Sequence, residues 1–552
     1  MIEIPPQKPL SSLNILVIDG QALVHDSIKS ALAQIGIHNC KSAENAFYAL
    51  RLCEQTKFDV VLISFDIRSD KDGFNLLEEM RLKGHITKTT MVIFLSADTS
   101  MSLVNCVVEL QPSDFWVKPL DRKTMEKRFK YLFAIKEKLY KLSYCIDKAE
   151  YPTAIYYAER QLKDESLSKY YPMINRLIGE CLINLKEYSQ AEAFYRKLSQ
   201  RYKYGWVQVN LARSLLKQDK LSEAITLTDE LLQRDDTRFT TYDALAEYYI
   251  EKEDYAKGYE IIQEATKLAP RNLDRNKKSW NLARLNHDKK GQYIATMNMA
   301  KFAKNSIHDT PDLNLNVIRA AIDLAGSLNG EEATRLVAKT ERDLSFFVNE
   351  YGNDSQLKEQ LAIINARMLN LKSDKKAAEQ IIKEHMDTRA SSSVEDSLDK
   401  VKAFHEMGYW EESIRLLDSV KSKIEGDSFV GQVINEYLDQ ETQERTDIRY
   451  SPKELGEMAS SHYKNKRYEP AYELLSQAFV LAPKNPNMAL SILKVMVKLI
   501  DEVQFNEDQL ACLKRCKNLL DSIALSPNQH KKMDEYLAVI DPLIASRDVD
   551  HE

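Results

Sequence analysis

The chain has 552 residues, 44% of them hydrophobic and 29% charged, which is enough for several domains and a sizeable core. A formal charge of −6 and a pI near 6.0 argue against a broad nucleic-acid footprint. No run reaches the roughly 18 apolar residues that a membrane span needs.

Met1 to Leu10 carries prolines and an acid but no apolar signal core, and residues 1–12 are expected to be a tail. Asn14-Ile-Leu-Val-Ile-Asp19-Gly20 is a short apolar run closed by an acid, as expected of a buried parallel strand. Phe58-Asp-Val-Val-Leu-Ile-Ser64 is a second such run, followed by Phe65-Asp66 and, eight residues after Ser64, by the pair Asp72-Gly73. Met91-Val-Ile-Phe-Leu-Ser96 is a third, and Phe115-Trp-Val-Lys118-Pro119 brings a lysine 22 residues beyond Ser96. Over residues 13–137 these landmarks and spacings resemble the receiver domain of two-component response regulators. The resemblance implies a flavodoxin-like α/β fold with a five-stranded parallel sheet.

It also implies a phosphorylation pocket. In that family the first strand ends in two acids that hold Mg²⁺, a hard cation that needs oxygen ligands. The third strand ends in the phospho-accepting aspartate, the fourth in a phosphoryl-binding hydroxyl, and the fifth in a lysine. Asp19, Ser96 and Lys118 fit, with Phe115 at the aromatic switch position. Gly20 stands in place of the second acid and Ser64 in place of the acceptor, 44 residues apart as the family requires. A serine hydroxyl is far less nucleophilic than a carboxylate without an activating base. The pocket can be read in two ways. The receiver is degenerate, kept for its fold and surfaces, with Mg²⁺ bound weakly or not at all and no other cofactor. Alternatively, Asp66 serves as acceptor or as a permanent carboxylate. It shares parity with Ser64, so a strand longer by two residues would point both the same way, and Asp19 and Asp66 would then hold the metal.

From about Asp121 the period changes. Met125, Phe129, Leu132, Ile135, Leu139 and Leu142 recur at three or four residues, predicting one amphipathic helix that closes the receiver and runs on into the next region of the chain. Beyond it, small residues recur in pairs twelve apart: Gly179/Ala191, Ala212/Ala224, Ala246/Gly258, Ala283/Ala295, Ala321/Ala333, Ala366/Ala378 and Ala459/Ala471, with Val401/Ser413 a looser match. Antiparallel helices approach closely only where facing residues are small. Tyr242, Leu245, Ala246, Tyr249, Tyr255, Gly258, Ala265 and Pro270, and later Ala459, Tyr468, Ala471, Ala478 and Pro483, resemble the signature of tetratricopeptide repeats, whose period is about 34 residues. Trp206 and Trp280 precede the first small residue of their repeats. The expected organisation is a repeat region at 138–310, irregular helical repeats at 311–450, and a C-terminal repeat with capping helices at 451–552. Asp387–Glu395 and Gln440–Asp447 read as polar joints between helices.

Stacked helical pairs form an all-α solenoid whose concave face commonly binds a peptide or helix. By counting, Arg176, Asn210, Arg213, Glu247, Asn281 and Arg284 are the expected exposed groove positions. Seven scattered cysteines (Cys40, Cys53, Cys106, Cys145, Cys181, Cys512 and Cys516) suit a reduced, cytoplasmic protein. Gly-rich phosphate loops, His-Glu-x-x-His helices, nucleophile elbows and helix-turn-helix outputs are missing, so no enzymatic activity is expected and output is through binding. The whole pattern resembles bacterial response regulators that join a receiver to tetratricopeptide repeats, VieB-like proteins among them. That resemblance implies a non-enzymatic two-component signalling adaptor with a sensor kinase or another response regulator as partner. A phosphorylation-dependent regulator using Asp66 is the alternative. It also implies a homodimer contact through Phe115, Trp116 and the helix from Asp121 to Leu139.

Overall fold

The computed structural model describes residues 3–548, apart from 70, 329, 373, 392, 425–428, 449, 451, 484, 501–504 and 524. Met1 and Ile2 of the expected tail thus lie outside the described residues. The chain forms two compact units, residues 1–275 with 301–309 and residues 276–300 with 310–552.

The first unit opens with an α/β domain. Strands β1 (Ile15–Ile18), β2 (Cys40–Ala43), β3 (Val60–Ser64), β4 (Met91–Ser96) and β5 (Asp114–Val117) form one parallel sheet in the order β2-β1-β3-β4-β5. Helices α1 (Ala22–Gln34), α2 (Ala46–Gln55), α3 (Gly73–Leu82), α4 (Met101–Glu109) and α5 (Arg122–Asp147) connect and cover it. Alternate residues feed two cores. Leu16, Ile18, Val61, Ile63 and Phe94 pack on one face, and Ile15, Val17, Val60, Leu62 and Ile93 on the other. Burial on both faces is why β1, β3 and β4 read as continuous apolar runs rather than alternating ones.

Helix α5 is 26 residues long and crosses the expected boundary at residue 137 without a break. Its N-cap Asp121 accepts from the Thr124 amide at 2.8 Å. Its first half packs Met125 and Phe129 into the sheet core, while Leu139 and Leu142 belong to the core of the next helices in the chain. These are α6 (Tyr151–Gln161), α7 (Tyr171–Asn184), α8 (Tyr188–Arg201), α9 (Gly205–Leu216), α10 (Leu221–Leu232), α11 (Arg238–Glu251) and α12 (Tyr255–Leu268). Each packs on its sequence neighbour, and α9 also packs on both α7 and α11, the pattern of a solenoid of hairpins.

Among its described residues the second unit has helices and connecting turns but no strand. It takes most of α13 (Leu273–Leu285) and α14 (Lys289–Ala303), and all of α15 (Pro311–Ser327), α16 (Gly330–Tyr351), α17 (Lys358–Leu371), α18 (Lys375–Lys383) and α19 (Val394–Glu406). It continues through α20 (Trp410–Lys421), α21 (Phe429–Asp447), α22 (Pro452–Lys464), α23 (Tyr468–Leu481), α24 (Pro486–Leu499), α25 (Glu507–Ser522) and α26 (Pro527–Asp548). The small-residue pairs fall on the two helices of successive hairpins, and all but Ala333 are buried. The turn inside each hairpin adds a period of its own. Lys186, Asp219, Glu253 and His287 take φ of 59°, 63°, 60° and 49°, and they stand 33, 34 and 34 residues apart. A left-handed residue just past a helix end lets the chain reverse while capping the last carbonyls.

One sequence expectation is corrected by the fold. Gln440–Asp447 is not a joint but the last two turns of α21. Its Glu, Gln and Arg residues are good helix formers, and polarity did not imply exposure: Glu441 is buried, pairs with Arg445 at 2.6 Å and accepts from the Tyr437 hydroxyl at 2.6 Å. By contrast, Ser393 in the first polar stretch caps α19, accepting from the Asp396 amide at 3.0 Å.

Candidate functional site

The C-terminal ends of β1, β3, β4 and β5 meet at one edge of the sheet, where open parallel sheets place their sites. Asp19, Ser64 and Ser96 are fully buried there. Lys118, which lies just past β5 and precedes a cis peptide to Pro119, reaches across. Its Nζ lies 2.6 Å from Asp19 Oδ2 and donates to Ser64 Oγ at 2.7 Å. Asp19 Oδ1 accepts from the Gln21 amide at 2.9 Å, and Ser96 Oγ accepts from the Asp98 amide at 3.0 Å. The Asp72-Gly73 pair has a steric reason. The helix start packs so close to β3 that a Cβ on Gly73 would fall 1.8 Å from the Ser64 carbonyl oxygen.

Residues 15–130 match the family model of the response regulator receiver domain. This domain is a receiver. No curated protein sequence matches the chain. Among solved structures, the chemotaxis response regulator CheY4 of Vibrio cholerae is similar at 19% identity, covering 22% of this chain and 98% of its own, with a TM-score of 0.20. The receiver domain of the Francisella response regulator 1452 is similar at 26% identity, with coverage of 22% and 98% and a TM-score of 0.20. NtrX from Brucella abortus, in complex with ADP, is similar at 19% identity over 24% of this chain and 29% of its own, with a TM-score of 0.22.

A receiver implies Mg²⁺, and the residues present do not fit it. The ion needs several oxygen ligands. Asp19 supplies the one carboxylate, already engaged by Lys118 and by a backbone amide. Ser64 is neutral, and Gly20 has no side chain. A Cβ at Gly20 would meet Arg68 Cγ at 3.1 Å and Arg68 N at 3.2 Å, because the β3–α3 loop folds over the place of the second acid. Among the described residues, no three His, Cys, Asp or Glu side chains gather as a metal site. Asp66 is not brought into the pocket. β3 ends at Ser64, the Asp66 side chain is exposed, and only its carbonyl turns inward, accepting from the Gly20 amide at 3.4 Å. Phe115 is half-buried and stacked on Phe94, with ring centroids 6.1 Å apart.

Sequence reasoning missed a second feature of the receiver, a clamp from the connection between α12 and α13 and from the first turn of α13. Arg271 donates to Asp72 Oδ2 at 2.7 Å, and its guanidinium lies 5.1 Å from the Phe65 ring and 5.8 Å from that of Phe74. It thus grips the loop beyond Ser64. Arg275 pairs with Glu109 at the end of α4, with Asp243 of α11 at 2.5 Å, and with the Ala269 carbonyl at 2.7 Å. Asn272 donates to Glu109 at 3.1 Å, and Ala269 is fully buried in the receiver core. Burial raises the Glu109 carboxyl, with Arg275 opposing it. No local pattern could reveal partners 166 positions apart.

The expected groove residues divide. Arg176 is exposed. Asn210, Arg213 and Glu247 are half-buried, Asn210 donating to the Trp206 carbonyl of its own helix at 2.8 Å and Glu247 pairing with Lys217 at 3.0 Å. Asn281 and Arg284 are buried, which corrects the expectation that they are exposed. The Arg284 guanidinium lies 3.8 Å from the Trp280 ring centroid and 5.6 Å from that of Tyr437, so ring faces rather than water surround it. The expected dimer face is likewise partly occupied within the first unit. Trp116 is 2% exposed, and α7 packs against α5.

Proposed function

We propose that this protein is a two-component signalling adaptor whose receiver is not switched by aspartyl phosphorylation, and that it acts by protein–protein binding. One observation carries the reading. Lys118, the cation that should meet a phosphoryl group, is already held by Asp19 at 2.6 Å and by Ser64 at 2.7 Å. One carboxylate facing one ammonium is electroneutral, so the pocket has no excess negative charge for a metal to offset and no aspartate at the end of β3 to accept phosphate. The clamp by Arg271 on the adjoining loop supports a receiver held in one arrangement. The turn period of 33–34 residues and the paired small residues support tetratricopeptide-type repeats as the binding element, with a sensor kinase or another response regulator as partner, in a cytoplasmic, non-enzymatic role. The test is the intact mass of the full chain after incubation with acetyl phosphate and Mg²⁺. The mass is expected to stay unchanged. A gain of one phosphoryl group mapped to Asp66 would replace this reading with a phosphorylation-dependent regulator.

A further inference from the structure

Apart from the pocket around Lys118, the first unit contains a cavity of about 650 Å³. It lies between the receiver's β4–β5 side and α7. Phe115, Leu132, Ile135, Met173 and Leu177 give it apolar walls. The size falls within the range of small-molecule sites, roughly 300–1,000 Å³.

Its charges do not balance. Four cations line it: Arg81 from α3, Lys88, Lys136 from α5 and Arg176 from α7. The two acids in the lining are both engaged. Glu180 pairs with Lys88 at 2.7 Å, while Asp114 pairs with Arg128 at 2.6 Å and accepts from Trp116 Nε1 at 2.7 Å. Among the described residues Lys136 donates to the Thr89 carbonyl, and burial pushes its ammonium down to about 8, with Asp59 and Asp147, which lie outside the lining, opposing the shift. Arg81 is half-buried, burial lowers its pKa too, and neither it nor Arg176 forms an ion pair among the described residues. Three of the lining cations, the half-buried Arg81 and Lys136 and the exposed Arg176, thus form no ion pair among the described residues. Burial disfavours the charges of Arg81 and Lys136, and an anion entering the space would offset that cost, with Arg176 free to add its charge from the exposed side of the lining.

We propose that this cavity binds a small organic anion that carries at least two negative charges on an apolar body. The apolar walls bury the body, and Arg81, Lys136 and Arg176 answer the charges. Guanidinium forks suit sulfonate, carboxylate or phosphate oxygens alike. The partner-binding role proposed above neither requires nor supplies this site.

The test uses the full chain and three probes: anilinonaphthalene sulfonate as fluorescent anion, naphthalene-1,5-disulfonate as competing dianion, and N-phenyl-1-naphthylamine as the uncharged control. One saturable sulfonate dye site per chain is expected, displaced by the disulfonate. Arg81→Gln with Arg176→Gln should weaken the anionic dye at least tenfold while the uncharged dye binds as before, which also reports an intact fold. Leu177→Trp, which fills the space, should weaken both dyes. The proposal is overturned if no saturable site exists, if the double variant binds the anionic dye at full strength, or if it loses both dyes equally.

Discussion

Arg275→Ala should detach α4 of the receiver from the repeats behind it. Arg275 is 3% exposed and serves three acceptors: Glu109, which is 14% exposed, Asp243, which is 30% exposed, and the Ala269 carbonyl. Truncating one member of a buried ion pair leaves the other uncompensated and typically costs about 3–5 kcal/mol. Burial raises the Glu109 carboxyl even with Arg275 beside it, and protonation, easier still without the arginine, limits the loss. The lower end, about 3 kcal/mol, is therefore expected. Hydrogen exchange on the full chain should report it at residues 101–109 and 269–275. An opening easier by about 3 kcal/mol speeds exchange there roughly a hundredfold. β3, which Arg275 does not touch, should keep its protection. Replacing both charges, Arg275→Met with Glu109→Leu, should recover part of the loss, because Glu109 is the more buried of the two carboxylates that Arg275 pairs with. If Arg275→Ala leaves α4 as protected as before, the clamp is not what holds it.

Ser64→Asp together with Gly20→Asp, for which Arg68 must shift by a few tenths of an ångström, should create Mg²⁺-dependent beryllofluoride binding, read by fluorine NMR, whereas Ser64→Asp alone should not, because Gly20 leaves the second acid missing. Failure of the double variant would mean that Gly20 and Ser64 are not at the pocket positions assigned to them. Arg284→Ala should lower urea stability by about 2 kcal/mol through lost stacking on Trp280 and Tyr437, while Arg176→Ala, at an exposed position, should stay within about 0.5 kcal/mol. Equal effects would contradict the burial described. Two groups in the second unit set opposite pH limits. Burial, with Glu441 nearby, pushes the Glu444 carboxyl up to about 7, so stability present at low pH is lost as pH rises through 7, and Glu444→Gln should raise Tm at pH 8 but not at pH 4. Burial, with Arg445 nearby, pushes the His405 imidazole down to about 4, so stability present above its unfolded value near 6.5 is lost as pH falls through 4. His405→Asn, which keeps a donor for the Ile448 carbonyl, should flatten that acid limb.

How far each feature could be read from the sequence depends on how locally it is encoded. The strand runs closed by Asp19, Ser64 and Ser96 were legible because a parallel sheet aligns its C-terminal ends, so spacing along the chain maps onto proximity in space. The paired small residues were legible because each hairpin is a local unit. Arg271 and Arg275 were not, since polar residues after Pro270 resemble any solvated loop, and their partners Asp72 and Glu109 lie far away in sequence. The errors at Asn281, Arg284 and Gln440–Asp447 share one cause, the equation of polarity with exposure. The second unit buries ion pairs instead. Arg367 is 3% exposed between Asp323 at 2.8 Å, Asp399 at 2.6 Å and Glu406 at 2.7 Å. Among the described residues nearby, Arg319 meets Asp396 at 2.5 Å.

The unbroken run of α5 through residue 137 changes where this molecule can be divided. At about 1.5 Å per residue, its 26 residues make a beam of about 39 Å whose first half belongs to the sheet and whose second half belongs to the repeats. A fragment starting at residue 138 would saw through that beam and strip Leu139 and Leu142 of the turns that hold them in register. The natural seam is Ala149, where φ reaches 56° and the helix has already ended. With no swivel between Arg122 and Asp147, a tilt imposed at one end is delivered at the other as the same tilt, the way a crankshaft carries torque.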